Sequence, residues 1–254
     1  MTINIDNIKL AVHLAKTRFH LQNEGSYLGF LWYILTPMLF FLTFLLIRGS
    51  VDSVGIIDNY PLYLILGIIL VQFFIVTTSS AILFTRKNSV FIKSINVSPN
   101  ILITADILKT SYIHLLFEFP LIILVMIFSG VPLIGIVLYP IIFAVFAFFV
   151  FGISLIFAVL GTYIYDLGNV WRALSRLLFL ATPIFYVTVP GTLHHSINLF
   201  NPLFYFIELT RHNLLYNSFP PPLYILIPIL ITIVTFIGGL SLFNKFKKKF
   251  TEKI

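Results

Sequence analysis

Residues 28–47 read LGFLWYILTPMLFFLTFLLI and contain no charged side chain. About 20 apolar residues in a helix are enough to cross the hydrocarbon core of a bilayer. Three further runs also lack charge, at residues 62–83, 133–164 and 223–243. Within lipid, such a run satisfies its own backbone hydrogen bonds by forming a helix. The sequence therefore predicts an all-α integral membrane protein.

Two weaker apolar runs, residues 101–128 and 177–189, bring the number of predicted transmembrane helices to six. Charged residues make up only 10% of the chain, whereas a soluble domain has about 25%. Six spans of about 20 residues each leave room for loops but not for a second soluble domain. We therefore predict one six-helix transmembrane domain over residues 28–254.

The positive charges indicate how the chain is oriented in the membrane. If six spans follow a cytoplasmic N-terminus, only Arg48 and Arg211 of the 16 Lys and Arg residues lie outside, and the other fourteen lie inside. Cytoplasmic loops carry an excess of Lys and Arg, so both termini are predicted to be cytoplasmic. The net charge of +7 then reflects orientation in a bilayer, and no nucleic-acid partner is predicted.

Residues 1–27 are predicted to form an N-terminal amphipathic interface helix on the cytoplasmic membrane surface. Its apolar side chains recur at helical spacing, at Ile5, Ile8, Val12, Ala15 and Phe19. Charged residues interrupt the segment, so it does not have the apolar core of a signal peptide. Membrane anchoring and contact with a cytoplasmic partner are both open as its role.

The segment between the fifth and sixth predicted spans, residues 192–222, is semi-polar and too irregular for a full span. Its length fits an outer re-entrant half-helix pair, which dips into the bilayer and returns. The alternative is a loop helix that lies on the outer surface.

The cytoplasmic loop at residues 85–100 has an apolar patch surrounded by basic residues. A short loop needs such a patch only if it docks against something. The membrane surface and a peripheral protein are the two candidates.

Asp106, His114 and Glu118 are ionisable residues inside the third predicted span, where such groups are rare and often functional. Glu118 follows His114 by four residues, so the two side chains share a helix face and can pair. The alternative is an ion-coupled secondary transporter that uses all three residues. A proton relay, however, would need ionisable groups on several spans.

No catalytic residue and no metal site is predicted. The chain lacks the GxxxxGK loop that cradles nucleotide phosphates, and it has no cysteine. A membrane enzyme would need carboxylates clustered at one interface, whereas Asp166 and Glu208 fall on opposite sides of the predicted topology. Gly152 and Ser154 instead indicate close packing between helices.

Four segments together resemble the permeases of the ABC-2 polysaccharide exporter family. LGFLWYILTP at residues 28–37 resembles the start of that family's first span, and ATPIFY at residues 181–186 resembles the end of its fifth. NPL at residues 201–203 resembles its outer re-entrant segment. GLSLFNK at residues 239–245 resembles the tail of its O-antigen exporters of the Wzm type.

The resemblance implies a permease that forms a homodimer in the bacterial or archaeal cytoplasmic (inner) membrane. It also implies two copies of a separate cytoplasmic ABC ATPase, which would bind ATP and Mg, so that the chain itself needs no cofactor. The substrate would be an undecaprenyl-linked polysaccharide, with O-antigen favoured. Capsule exporters of the KpsM type and teichoic acid exporters stay open. One departure is Tyr165 before Asp166, where many members carry Arg-Asp.

Three groups of residues are assigned by this resemblance. The substrate path is expected to be lined by the aromatic residues Trp32, Tyr33, Phe185 and Tyr186, since aromatic faces pack on the apolar faces of sugars. The outer gate is expected to contain Asn201, Pro202, Glu208 and Arg211. Contact with the ATPase is expected to use Arg86, Lys87, Phe91 and Lys93.

Overall fold

The computed structural model describes residues 5–49, 57, 59–88 and 98–247, and all regular structure over these residues is helical. The helices are α1 (Ile5–Asn23), α2 (Trp32–Gly49), α3 (Tyr60–Ile82), α4 (Phe84–Lys87), α5 (Pro99–Ile113), α6 (Phe119–Phe128), α7 (Tyr139–Tyr163), α8 (Leu167–Ala181), α9 (Leu193–Asn198), α10 (Pro202–Leu214) and α11 (Pro222–Phe246). One π-turn, His114–Glu118, joins α5 to α6. Short 3-10 turns, Gly29–Leu31 and Leu133–Val137, precede α2 and α7.

Within the described residues, five helices are long and apolar enough to cross a membrane. They are α2 with its preceding turn, α3, the continuous α5–α6 rod, α7 and α11. Each corresponds to a predicted span. The remaining predicted span corresponds to α8, which has only 15 residues.

The position of α8 differs from the apolar run at residues 177–189. The helix begins at Leu167 and ends at Ala181, because Pro183 disfavours helical backbone at the residue before it. Thr182 is accordingly extended, with φ −72° and ψ 137°. Helix α8 is amphipathic and contains the two arginines Arg172 and Arg176, so a search for charge-free runs misses it. The predicted boundaries of this span were therefore wrong.

Helix α3 forms the centre of the bundle. Nearly every residue from Leu62 to Phe74 is buried, which agrees with a helix that is apolar on all sides. Helices α2, α5, α7, α8 and α10 pack around it. In contrast, α2 and α8 keep large apolar side chains exposed, including Leu46 and Leu177. Their outer faces are therefore available to lipid or to another protein.

Helices α7 and α11 cross with their backbones in contact. A Cβ atom placed on Gly152 would lie 2.5 Å from the Thr235 carbonyl, and one on Gly239 would lie 2.4 Å from the Gly152 oxygen. Small residues permit this approach in membrane helices. The packing role predicted for Gly152 is confirmed.

The N-terminal helix α1 lies along α5. Ala11, Ala15 and Phe19 are buried in this contact, whereas Ile8 and Val12 are 51% and 39% exposed. Ala15 and Phe19 of the predicted apolar face thus pack within the chain, and Ile8 and Val12 stay exposed on it. Its position on a membrane surface stays a prediction.

Candidate functional site

A cleft of about 840 Å³ lies between α2, α3 and α8. Helix α8 turns its polar side toward the cleft, at the three- and four-residue spacing of one helix face. These cleft-lining residues of α8 are Gly168, Asn169, Arg172, Ser175 and Arg176. Aromatic rings line other parts of the wall, from Phe40, Phe44, Trp171 and Phe179. The cleft thus combines basic, polar and aromatic surfaces within a helical membrane protein.

A second cavity, of about 310 Å³, lies between the start of α2, α3 and α5. Trp32 and Tyr33 line this second cavity together with Lys109 and Glu118. Thr36, Gln72 and Val76 line both cavities. The two cavities therefore adjoin along α2 and α3.

Phe185 and Tyr186 follow α8 and lie near the other end of α2. The ring of Phe185 stacks on Phe44 with 4.3 Å between centroids. The Tyr186 hydroxyl donates to the Ala181 carbonyl over 2.6 Å. Phe44 is twelve residues after Trp32, which is about 18 Å along a helix. The structure therefore places the four expected path residues in two pairs at opposite ends of α2.

The outer segment forms two short helices, α9 and α10, separated by a turn. Asn201 caps α10, because its Oδ1 accepts a hydrogen bond from the Leu203 amide over 3.1 Å. Its Nδ2 donates to the Thr182 hydroxyl over 2.9 Å. Pro202 occupies the first helical position, where a missing N–H costs nothing. Asn201 therefore attaches the start of α10 to the end of α8.

Arg211 is fully buried and joins α10 to two other parts of the chain. Its Nη1 donates to Glu208 over 2.8 Å. Its Nη2 donates to the carbonyls of Tyr63 and Ile184, each over 3.2 Å. A buried charge is tolerated when it is paired and hydrogen-bonded. The four expected gate residues thus lie on one helix and its cap, fixed to the bundle centre.

The sequence did not indicate which residues on α3 contact Arg211. The Tyr63 hydroxyl donates to the Tyr186 carbonyl over 2.7 Å, and Gly67 lies beneath the guanidinium. A Cβ atom on Gly67 would lie 3.3 Å from Arg211 Nη2. No sequence motif or spacing marks Tyr63 or Gly67 as a partner of Arg211.

At the opposite end of the cleft, Arg86 bridges α4 to the loop before α8. Its Nη2 donates to the Tyr165 carbonyl over 2.9 Å, and its Cζ lies 4.0 Å from the Tyr165 ring centroid. Lys87 reaches the Ser80 hydroxyl. The other two residues assigned to ATPase contact, Phe91 and Lys93, lie outside the described residues.

Arg18 connects α1 to two elements that are distant in sequence. Its guanidinium forms an ion pair with Asp106 of α5. It also donates to the Asn88 side chain over 2.6 Å. Asn88 is buried and is the last described residue before position 98. Nothing in the local sequence pattern indicated this pairing across 88 positions.

The predicted pairing of His114 with Glu118 is confirmed. The His114 Nδ1 atom lies 2.7 Å from Glu118 and its Nε2 atom lies 2.8 Å from the Tyr139 hydroxyl. The imidazole also stacks on Phe143, with 3.9 Å between ring centroids. Both ring nitrogens are therefore satisfied inside the bundle.

The sequence of this all-helical chain matches a known protein family. The sequence model of the ABC-2 type transporter family matches residues 11–215. The chain belongs to the ABC-2 type transporter family. This confirms the family resemblance seen in the four sequence segments. The chain is therefore a multi-pass membrane permease, a transport subunit and not an enzyme.

Relatives with assigned names cover nearly the whole chain. Two proteins of Klebsiella pneumoniae, each named O-antigen export system permease protein RfbA, are 30% and 31% identical over 247 and 250 residues. Each alignment covers 96% of this chain and 94% of the relative. A protein of the same name from Myxococcus xanthus is 24% identical over 178 residues, 70% of this chain and 68% of the relative.

Proposed function

We propose that this chain is the permease subunit of an ABC transporter that exports a lipid-linked cell-surface polysaccharide, most specifically O-antigen. The observation that carries the proposal is the near-full-length similarity to the two permeases of Klebsiella pneumoniae. All three relatives described above have O-antigen names. This supports the O-antigen branch over the capsule and teichoic acid branches.

The cleft between α2, α3 and α8 supports a role as one half of a channel. Helices α2 and α8 combine this cleft with exposed apolar faces, which suits contact with a second copy of the chain. A homodimer would join two such clefts into one path for an undecaprenyl-linked glycan. Trp32 and Tyr33 in the second cavity, and Phe185 and Tyr186 after α8, would extend that path beyond the cleft itself.

The proposed topology has six spans with both termini in the cytoplasm, in the cytoplasmic (inner) membrane. Helix α8 would be the fifth span, and its 15 residues extend about 22 Å. That is short of a hydrocarbon core of about 30 Å. The pair α9 and α10 would complete the depth from the outer side as re-entrant half-helices. Asn201, Pro202, Glu208 and Arg211 would then belong to an outer gate.

The energy source would be a separate ATPase, bound in two copies on the cytoplasmic side. It would hold ATP and Mg, and the loop at residues 85–100 would dock against it. Arg86 and Lys87 lie at the start of that loop, at the end of α4. Phe91 and Lys93 would complete the docking surface. Residues 1–27 would lie beside it on the membrane surface.

Reconstitution tests the proposal directly. The purified chain is placed in liposomes with a fluorescent undecaprenyl-linked oligosaccharide, with and without an ABC ATPase from the same organism. We expect ATP-dependent translocation only when both proteins are present. Translocation at the full rate by the chain alone would contradict the proposal.

The docking loop is tested in the same system. Replacing Phe91 and Lys93 with alanine should abolish co-purification of the ATPase and leave membrane insertion intact. Replacing the exposed residues Lys9 and Lys16 with alanine removes charge from the same side without touching the loop. Unchanged co-purification of the loop variant would refute the docking role.

A further inference from the structure

We propose that Arg18 is a positioning residue that couples the ATPase contact on α4 to the start of α2. This inference rests on the proposed function, because it needs an ATPase at the end of α4 and a substrate path beside α2. Arg18 belongs to α1, which contacts both of these elements. The observations that carry the inference are a series of contacts from α4 through Arg18 to α2.

The guanidinium of Arg18 contacts two elements at once. Its Nη1 forms the ion pair with Asp106 of α5 and donates to the Leu102 carbonyl over 3.4 Å. Its Nη2 donates to the Asn88 Oδ1 over 2.6 Å. A guanidinium is planar, and its donors point in fixed directions. The two nitrogens therefore fix the position of Asn88 relative to α5.

Asn88 closes the last turn of α4. Its backbone N–H donates to the Phe84 carbonyl over 3.0 Å, and its side-chain Nδ2 donates to the same carbonyl over 2.9 Å. Its Oδ1 is left for Arg18, which can only donate. Asn88 is 2% exposed, so water has little access to these contacts. The same turn bears Arg86 and Lys87, and a displacement of these two residues therefore acts on Arg18.

Phe19, the residue after Arg18, continues the series of contacts to α2. Its buried ring stacks on Phe30 with 4.8 Å between centroids and lies 6.0 Å from the ring of Tyr33. Phe30 lies in the turn before α2, and Tyr33 lies in the first turn of α2. Close-packed side chains transmit strain. A shift of α1 therefore displaces the start of α2.

The other side of α4 packs against the helices that cross most closely. Phe84 is fully buried and lies against Phe243 of α11, with 6.2 Å between ring centroids. The Thr85 hydroxyl shares a hydrogen bond with the Thr162 hydroxyl of α7. Because α7 and α11 are in backbone contact, they resist displacement. A movement at the end of α4 is therefore passed to α1.

The contact between Arg18 and Asn88 can be removed without breaking the contact between α1 and α5. The variant Asn88→Leu keeps the ion pair of Arg18 with Asp106. The Phe84 carbonyl keeps its backbone donor at position 88. Arg18 loses one acceptor, but its side chain is 19% exposed, so water can solvate the freed donor. This variant should therefore fold and insert.

The ratio of glycan translocated to ATP hydrolysed tests the inference in the liposomes that contain the ATPase. Asn88→Leu should lower this ratio by about fivefold or more, while the ATPase still co-purifies. A purely structural role would lower translocation and hydrolysis together and leave the ratio unchanged. An unchanged ratio in this variant would overturn the inference.

Asn88→Asp is the conservative variant. It keeps an oxygen that accepts from Arg18 and strengthens that hydrogen bond by charge, so the ratio should return to within about twofold of the original. Because Asn88→Asp also loses the Nδ2 donor, recovery assigns the effect to the contact with Arg18. A ratio as low as that of Asn88→Leu would overturn the inference.

Arg18→Lys tests the same contact from the other side. Lysine keeps the positive charge for Asp106 but has no planar fork to reach Asn88 as well, so the ratio should also fall. The matched control Lys16→Gln changes an exposed basic residue of the same helix and should keep the original ratio. Equal ratios in Arg18→Lys and Lys16→Gln would overturn the inference, even if Asn88→Leu does not fold.

Hydrogen exchange in nanodiscs tests the first contact without the ATPase. Amides of residues 84–88 should exchange about tenfold faster in Arg18→Lys than in the original chain, because the end of α4 loses a tie to the bundle. Residues 146–155 of α7 are the internal control and should exchange at the original rate. Unchanged exchange at residues 84–88 would overturn the inference.

The outcomes separate this inference from the proposed function. If the original chain translocates no glycan with the ATPase, the proposed function fails and this inference fails with it. If the original chain translocates glycan and Asn88→Leu keeps the original ratio, only this inference fails. The expected result is faster exchange at the end of α4 together with less glycan moved per ATP.

Discussion

The guanidinium of Arg211 lies over the ring of Tyr63, with 3.3 Å between Cζ and the ring centroid. The same arginine donates to the Tyr63 carbonyl, so one side chain contacts both the ring and the backbone of its partner. Cation–π attraction is strongest where both groups are removed from water. Arg211 therefore fixes the outer helix α10 to the helix at the centre of the bundle.

Replacing Arg211 with methionine should destabilise the chain by roughly 3 kcal/mol, because Glu208 loses its partner in an apolar setting. The measurement is thermal unfolding of the purified chain in detergent. Glu208→Gln should also destabilise the chain, because it leaves the fully buried Arg211 charge without its carboxylate. Unchanged melting of the Arg211 variant would contradict the role of this contact.

The close crossing of α7 and α11 at Gly152 and Gly239 leads to a second prediction. Gly152→Ala should cost about 1–3 kcal/mol through overpacking, since the new Cβ meets the Thr235 backbone at 2.5 Å. Gly238→Ala makes the same chemical change where nothing lies within 4 Å, and should be neutral or slightly stabilising. Comparable melting temperatures for the two variants would refute the close contact.

The ion pair between Arg18 and Asp106 should hold α1 against α5. The chain has no cysteine, so single cysteines can report this contact. A cysteine at position 11, which is buried, should react slowly with maleimide and much faster when Arg18 is replaced by leucine. A cysteine at position 16, which is exposed, should react quickly in both backgrounds. A buried probe that stays slow after the change would show that α1 does not depend on Arg18.

The proposed topology is tested with the same chemistry in intact cells. Tyr165 and Phe219 are 80% and 97% exposed and lie at opposite ends of the bundle in the six-span arrangement. A membrane-impermeant reagent should label Phe219→Cys in intact cells and Tyr165→Cys only after the cells are opened. Labelling of both from the same side would rule out the arrangement.

Glu118 separates an ATP-driven permease from an ion-coupled transporter. Its contact with His114 is satisfied inside the bundle, so Glu118→Gln should leave export within about twofold of the original. The reason is that the glutamine amide can still form a hydrogen bond with His114, so the change should cost about 1 kcal/mol of stability. Export that collapses in this variant, measured as surface glycan, would support ion coupling instead.

Much of the membrane architecture is predictable from the sequence. Four charge-free runs and the weaker apolar run at residues 101–128 located five helices, because lipid imposes a length and a composition on each span. The sixth, α8, was misplaced because Arg172 and Arg176 break its apolar pattern while one of its faces lines a polar cleft. The four-residue spacing between His114 and Glu118 also predicted their pairing, because residues at this spacing share one face of a helix.

Long-range contacts could not be predicted in this way. Arg211 contacts Tyr63, which is 148 positions away in the sequence, and a single sequence has no signal for such a contact. The same applies to Arg18 and Asp106. For α1, the hydrophobic pattern predicted a helix but gave no signal for its packing along α5, in which Ala11 and Ala15 are buried.

The backbone contact between Gly152 and Gly239 holds α7 and α11 together more closely than side-chain packing would. Helices α7 and α11 cannot slide past each other without separating, so we expect them to keep a fixed position relative to each other. In the proposed channel, widening for a bulky polymer would then come from tilting of α2 and α8, whose outward apolar faces are exposed among the described residues. The two glycines would thereby separate the fixed helices from those that tilt.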